Sequence, residues 1–281
     1  MHVTYPDLTR RPPPLRSADE AKGTLVVTRA SVLPRHLQGA VILLGNFDGF
    51  HRGHQALMTM AERVAATGAP LALMSCEPHP KTYFGTDPGG FRLTTQRTKL
   101  TILRDYGFDY VYSPHFDAGF ARQSPDAFVR DCLVRDLGVR HVIIGEDFRF
   151  GAGRAGDAAL LARIGRKLGF DTHTVAEVVH KDGRCSSTRI RARIAAGDLA
   201  GAANLLGHSW LGDVIATPGG GHCLHPDQLH PPAGRYLAQL DGMDSATMIG
   251  IGPDGSVRLP RTTEINPTSG NQLVRFLSQI S

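Results

Sequence analysis

A short apolar run at residues 40–44 (AVILL) leads straight into Gly45-Asn46-Phe47-Asp48-Gly49-Phe50-His51-Arg52-Gly53-His54, and a helix-like segment follows at 54–66. An unbroken apolar run of that length suits a strand covered on both faces. In the segment after it, Leu57, Met60, Ala61 and Val64 share one helical face. The pattern repeats: apolar runs at 71–76, 110–113 and 141–144 alternate with helical patterns at 94–106, 124–137 and 157–168. Ser124-Pro125 reads as an N-cap followed by Pro in the first turn. Strands and helices taking turns predict an α/β fold, a parallel sheet with helices on its faces. Ligands of such sheets bind beyond the carboxyl ends of the strands.

The alternation ends near residue 180. A helical pattern after Arg191 stops at Gly207, and the region 208–281 is rich in Gly, Pro and His, with short alternating runs at 235–240, 247–251 and 273–277. That is the pattern of a small β-rich domain. Residues 1–23 are punctuated by Pro12, Pro13 and Pro14 and read as an extended N-terminal arm. The expected organisation is therefore an arm (1–23), an α/β domain (24–207) and a β domain (208–281).

Lys and Arg exceed Asp and Glu by 31 to 26, and the excess is spread along the chain. No aromatic stripe accompanies it, so small phosphate-bearing ligands explain the charge better than nucleic acid does. The four cysteines form no CxxC pair, which argues against a zinc site or a disulfide framework. No apolar stretch reads as a signal peptide or a membrane span, so the expected location is cytoplasmic.

The loop after residues 40–44 lies where free backbone N–H groups and a helix dipole attract phosphate. Gly45, Gly49 and Gly53 allow tight turns and close approach, Asn46, Phe47 and Asp48 complete the loop, and His51 and His54 are placed to donate to phosphate oxygens. The plainer alternative, an incidental histidine pair, is weakened by the position between strand and helix. A second candidate is Ser186-Ser187-Thr188, which opens an amphipathic run with Arg191 four residues beyond Ser187 on the same face. Hydroxyls, N–H groups and a guanidinium there would meet one anion; alone, the segment reads better as a plain capped surface helix.

GNFDGFHRGH resembles the phosphate loop of the bacterial FAD synthetases, whose adenylyltransferase module is a Rossmann-like HxGH nucleotidyltransferase. Four further segments match in order: Glu77-Pro78-His79-Pro80; Arg92-Leu93-Thr94-Thr95; Gly145-Glu146-Asp147-Phe148-Arg149-Phe150-Gly151 with Gly153-Arg154-Ala155-Gly156-Asp157; and Cys185-Ser186-Ser187-Thr188-Arg189-Ile190-Arg191. The resemblance implies transfer of AMP from ATP to FMN, with Mg²⁺ accompanying the nucleotide and no metal ligand assigned on the protein. It implies catalytic roles for His51 and His54. Gly45, Asn46, Phe47, Asp48, Gly53, Ser187, Thr188 and Arg191 would bind ATP phosphates. His79, Asp147, Arg149 and Arg154 would contact flavin or nucleotide, although each also reads as a loop-bracing side chain. Asp48 suits turn organisation better than base catalysis, because a phosphate acceptor is already ionised. Another phosphate acceptor, or a binding protein that no longer catalyses, remains an alternative.

The resemblance weakens after residue 210. Most relatives carry a riboflavin kinase barrel marked by a glycine-rich stretch leading into Pro-Thr-Ala-Asn, which helps hold Mg²⁺. Here Thr217-Pro218-Gly219-Gly220-Gly221-His222-Cys223-Leu224-His225-Pro226 occupies that region and no such segment follows. The expectation is a shortened, degenerate barrel without kinase activity.

Overall fold

The computed structural model describes residues 24–29, 31–66, 68–86, 89–180, 183–260 and 270–280; the arm expected at 1–23 lies outside them. A six-stranded sheet forms the first layer. Its edge strand β1 (Leu25–Val27) precedes β2 (Val41–Leu44), which is buried at every position as its apolar run demands. The phosphate-type loop and α1 (Arg52–Val64) follow, then β3 (Leu71–Met74), the single turn α2 (Pro80–Tyr83) and α3 (Gln96–Asp105). Beyond β4 (Tyr110–Tyr112) come α4 (Ala118–Ala121), α5 (Pro125–Phe128), β5 (His141–Gly145), α6 (Ala158–Leu168) and β6 (Asp171–Val175). All sheet pairs are parallel, in the order β1-β4-β3-β2-β5-β6. From β2 the chain steps to β3 and β4 on one side, then returns to place β5 and β6 on the other. The crevice between the carboxyl ends of β2 and β5 is thus a topological switch point.

Two helical expectations change in detail. The segment expected as one helix over 124–137 is α-helical only through Phe128. It then winds in wider π turns from Val129 to Asp136, with Val129, Cys132 and Leu133 buried. After the hairpin β7 (Val179–His180) and β8 (Gly183–Arg184), the pattern up to Gly207 divides into α7 (Ser187–Ala195) and α8 (Leu199–Leu206). The break lies at Gly197, whose φ of +75° is left-handed. Asp198 then caps α8 by accepting from Gly201 N at 2.8 Å.

The C-terminal part is a closed antiparallel barrel. Its strands are β9 (Trp210–Ala216), β10 (His222–Leu224), β11 (Gly234–Leu240), β12 (Ala246–Ile251), β13 (Ser256–Arg258) and β14 (Gln272–Ile280), in the order β10-β13-β12-β11-β14-β9. Closure leaves no unpaired edge. Trp210, Tyr236 and Phe276 fill the interior. Ile190 and Ile194 of α7, Leu205 of α8 and Leu93 pack in the barrel's own core, while Leu211 and Leu273 join the core that covers β2, β3 and α1. Sheet and barrel therefore share apolar packing. Among the described residues no helix is long and apolar enough to cross a membrane.

Candidate active site

The loop after β2 is tightly folded. Gly49 has φ +90°, and Phe47 and Phe50 also take positive φ, 47° and 41°, which side-chain-bearing residues rarely do. Both Phe rings are buried. Gly53 serves a different need: a Cβ there would lie 3.0 Å from the His51 ring. That close packing sets His51 and His54 face to face, ring centroids 3.7 Å apart and 15° from parallel. The Nδ1 atoms of both are buried without a partner. Burial pushes His51 down to about 4. Burial, followed by the neighbouring charges of His51 and Lys99, holds His54 well below the usual imidazole range. Both rings are neutral at pH 7, and an arriving anion would supply the partner they lack.

Asp48 anchors the loop from below. Its carboxylate accepts from Leu93 N (3.1 Å), Thr94 N (2.9 Å) and Thr94 Oγ1 (3.1 Å), and pairs with Arg191 Nη2 at 2.6 Å. Burial acts to raise this carboxyl, but the Arg191 charge, the two amides and Lys99 outweigh it and hold it below the ordinary value. Asp48 is thus an organiser of three chain segments; its carboxylate is already occupied by donors. Ser187 completes the join, its hydroxyl donating to Asp48 O at 2.8 Å. The Arg191 guanidinium also donates through Nε to Phe91 O at 2.7 Å and stacks over the Phe91 ring. Two loops about 140 residues apart in sequence therefore close on one another, as phosphate capture by both requires. The price is that Ser187 and Arg191 are partly committed to holding them together.

These loops border a cavity of about 930 Å³ at the β2/β5 switch point, and every site residue proposed from the sequence lines it. Its lining joins the imidazoles and the N-terminus of α7 to a contiguous run of rings, Phe116, Phe120, Phe128, Phe150 and Phe148. A family model described as FAD synthetase matches residues 33–189. The chain belongs to the FAD synthetase family. It is 37% identical over 218 residues to the bifunctional riboflavin kinase/FMN adenylyltransferase of Escherichia coli (strain K12), covering 76% of this chain and 70% of that protein. It is 39% identical over 173 residues to a putative bifunctional riboflavin kinase/FMN adenylyltransferase of Geobacillus thermodenitrificans, covering 61% of this chain and 91% of that protein. In structure it resembles a protein described as a macrolide-efflux protein from Streptococcus pneumoniae. The TM-score is 0.75 over 92% of this chain and 91% of that one, at 20% identity, a likeness of fold alone.

Within this FAD synthetase fold the remaining sequence candidates differ in their surroundings. His79 is buried, and its Nδ1 accepts from Lys81 N at 3.1 Å, so the proton of the neutral ring sits on Nε2. Burial lowers it to about 4. Asp147 lies at the carboxyl end of β5 and is tied to Arg184 at 2.5 Å, which also holds Glu177, so this loop is clamped to the β7–β8 hairpin. Arg149 and Arg154 are exposed at the cavity mouth, Arg149 donating to Phe148 O at 3.2 Å.

Sequence reasoning passed over Lys99, Arg92 and Glu77 as a group. Lys99 is almost fully buried, donates to Ser75 Oγ at 2.6 Å and lies 3.5 Å from Glu77 Oε1. The same Glu77 oxygen pairs with Arg92. One carboxylate between two cations leaves a net positive charge beneath the phosphate loop. The signal was present: Lys99 sits with Thr98, Ile102 and Leu103 on the buried face of α3, where a lysine is rare.

Proposed function

We propose that the chain is an FMN adenylyltransferase, joining ATP and FMN to give FAD and pyrophosphate. The observation that carries this reading is the cavity's mixed lining: phosphate-type donors and a contiguous aromatic wall within one continuous space. A flat isoalloxazine fits the aromatic wall, and a triphosphate fits the loop where the stacked imidazoles lack partners. Family membership supports the same assignment.

In the proposed reaction an FMN phosphate oxygen attacks the α-phosphorus of ATP. A new P–O bond forms, the bond between the α-phosphorus and the bridging oxygen breaks, and pyrophosphate leaves with that electron pair. His51 and His54 donate N–H bonds to phosphoryl oxygens as their charge builds, each such donor contributing about 3–4 kcal/mol in comparable sites. Thr188, Arg191 and the free N–H groups opening α7 take the outer phosphates. His79 presents Nε2–H to the same cluster. Arg149, Arg154 and Asp147 contact flavin or nucleotide at the mouth. The Lys99–Arg92–Glu77 group adds a long-range attraction for the anion.

Among the described residues no cluster of three or more His, Cys, Asp or Glu side chains could cage a metal. A divalent cation therefore fits here as the companion of the triphosphate, held chiefly by phosphate oxygens. When bound, Mg²⁺ neutralises charge on those phosphates. The reading places the protein in the cytoplasm, where ATP is supplied, and divides it into an adenylyltransferase domain at 24–207 and a degenerate kinase-like barrel at 208–281. Absence of the Pro-Thr-Ala-Asn segment supports loss of riboflavin kinase activity. Purified protein is incubated with ATP, Mg²⁺ and either FMN or riboflavin, and the products are separated. FAD from FMN with no FMN from riboflavin is expected; no FAD refutes the transfer, and FMN from riboflavin refutes the loss of kinase activity.

A further inference from the structure

The barrel does more than pack against the sheet. Its β10–β11 loop runs beside residues 92–93, with Arg92 N donating to Asp227 O (3.1 Å) and Leu229 N to Arg92 O (2.8 Å). Between these, Gln228 is completely buried. Its Nε2 donates to Leu93 O (2.9 Å) and Leu211 O (2.8 Å), and its Oε1 accepts from Asp213 N (2.8 Å). Both amide hydrogens are used, so the side chain has one orientation available. Trp210 Nε1 adds a second donor to Leu93 O at 3.0 Å. Asp213, also buried, accepts from Thr95 Oγ1 at 2.8 Å and lies 3.3 Å from Arg97. The other side of the same short segment faces the phosphate loop, where Leu93 N and Thr94 N hold the Asp48 carboxylate, which in turn holds Arg191. A third tie runs from His208, whose Nε2 lies 3.1 Å from Gly49 O.

We infer that the barrel is a working part of the adenylyl-transfer site: Gln228, acting through Leu93, is a positioning residue that sets Asp48 and with it the Arg191 guanidinium. The inference rests on the transfer function proposed above. It gives a role to a domain whose kinase motif is missing, because a buried amide with its oxygen and both of its hydrogens bonded fixes geometry as well as stability. Misplacing a charge-bearing group by about 1 Å costs on the order of a hundredfold in comparable sites.

The test is Gln228→Met, which keeps the volume and removes all three bonds. ATP affinity is measured by titration calorimetry without FMN, flavin affinity by quenching of FMN fluorescence, and turnover by FAD formation. Expected are an ATP affinity and a kcat/KM for ATP lowered tenfold or more, with FMN affinity within twofold of wild type. The aromatic wall of the cavity lies on segments following β4 and β5, which this network does not hold. Ile249→Ala, on β12 across the barrel, lowers the melting temperature and leaves ATP affinity unchanged. Should Gln228→Met fail to fold, Thr95→Val and Thr95→Ser replace it: valine reproduces the loss and serine, which keeps the hydroxyl, restores wild-type ATP affinity. ATP affinity within twofold of wild type in Gln228→Met, or in Thr95→Val, overturns the inference, as does an equal loss in Ile249→Ala. Wild-type protein that makes no FAD refutes the proposed function, and the calorimetric affinities still decide the inference.

Discussion

Replacing His51 with Asn removes one of two stacked imidazoles together with its titration. In the folded protein burial pushes His51 down to about 4, against about 6.5 in an unfolded chain. The folded value is the lower one, so between the two the unfolded chain binds more protons and stability rises with pH. The contribution is fully present above pH 6.5 and is lost as pH falls toward 4. At pH 5 the unfolded imidazole is almost entirely protonated and the folded one almost entirely neutral. About 1.5 pH units below the unfolded value, at about 1.4 kcal/mol per unit, amounts to about 2 kcal/mol. That is a sizeable fraction of a typical folding free energy of about 5–15 kcal/mol. Urea unfolding at pH 7.5 and 5.0, followed by the fluorescence of the single, buried Trp210 and by circular dichroism, measures it directly. Wild type is expected to lose about 2 kcal/mol more than His51→Asn between the two pH values. Equal losses in the two proteins would show that this imidazole is not held neutral by burial, and the account of an unpartnered pair awaiting phosphate would go with it.

Three other outcomes follow from the same geometry. The double variant His51→Ala/His54→Ala is expected to lower FAD formation by at least about a thousandfold with the fold intact by circular dichroism; near-normal transfer would remove both residues from the mechanism. Asp48→Asn puts an amide NH₂ against donors in either orientation and removes the negative charge that Arg191 pairs with, so urea unfolding at pH 7 is expected to show a loss of about 2–4 kcal/mol; a change under 1 kcal/mol would contradict the anchoring role. Lys99→Met removes the surplus positive charge beside Glu77, and calorimetry is expected to report ATP binding about tenfold weaker, an effect that shrinks with added salt. Undiminished ATP affinity at low salt would confine Lys99 to a packing role.

Much of the fold was legible because its signals are local. The buried run that becomes β2 and the apolar stripe of α1 are period patterns, readable without knowledge of their neighbours. The barrel was harder. β11, β12 and β14 alternate and were recognised, whereas β9 is buried at its first five positions. It lies between the barrel interior and the helices beside it, so alternation is lost. Local chemistry also placed the two phosphate-type loops, each at a strand-to-helix or loop-to-helix junction with the right donors. It could not reveal that Asp48 would be enclosed by Leu93, Thr94 and Arg191, because hydrogen-bond partners from two distant segments are decided by which turns the folded chain brings together.

From residues alone came an alternating α/β domain, a β-rich tail and two anion-binding loops, since periodicity, capping and backbone freedom are properties of neighbouring positions. Tertiary structure decided the rest. It stacked His51 on His54 in a desolvated cavity, lodged a surplus cation at Lys99, and bolted the barrel to the site through Gln228. Burial sets the cost of each charge and unpaired polar atom, and burial is a property of the whole packed chain.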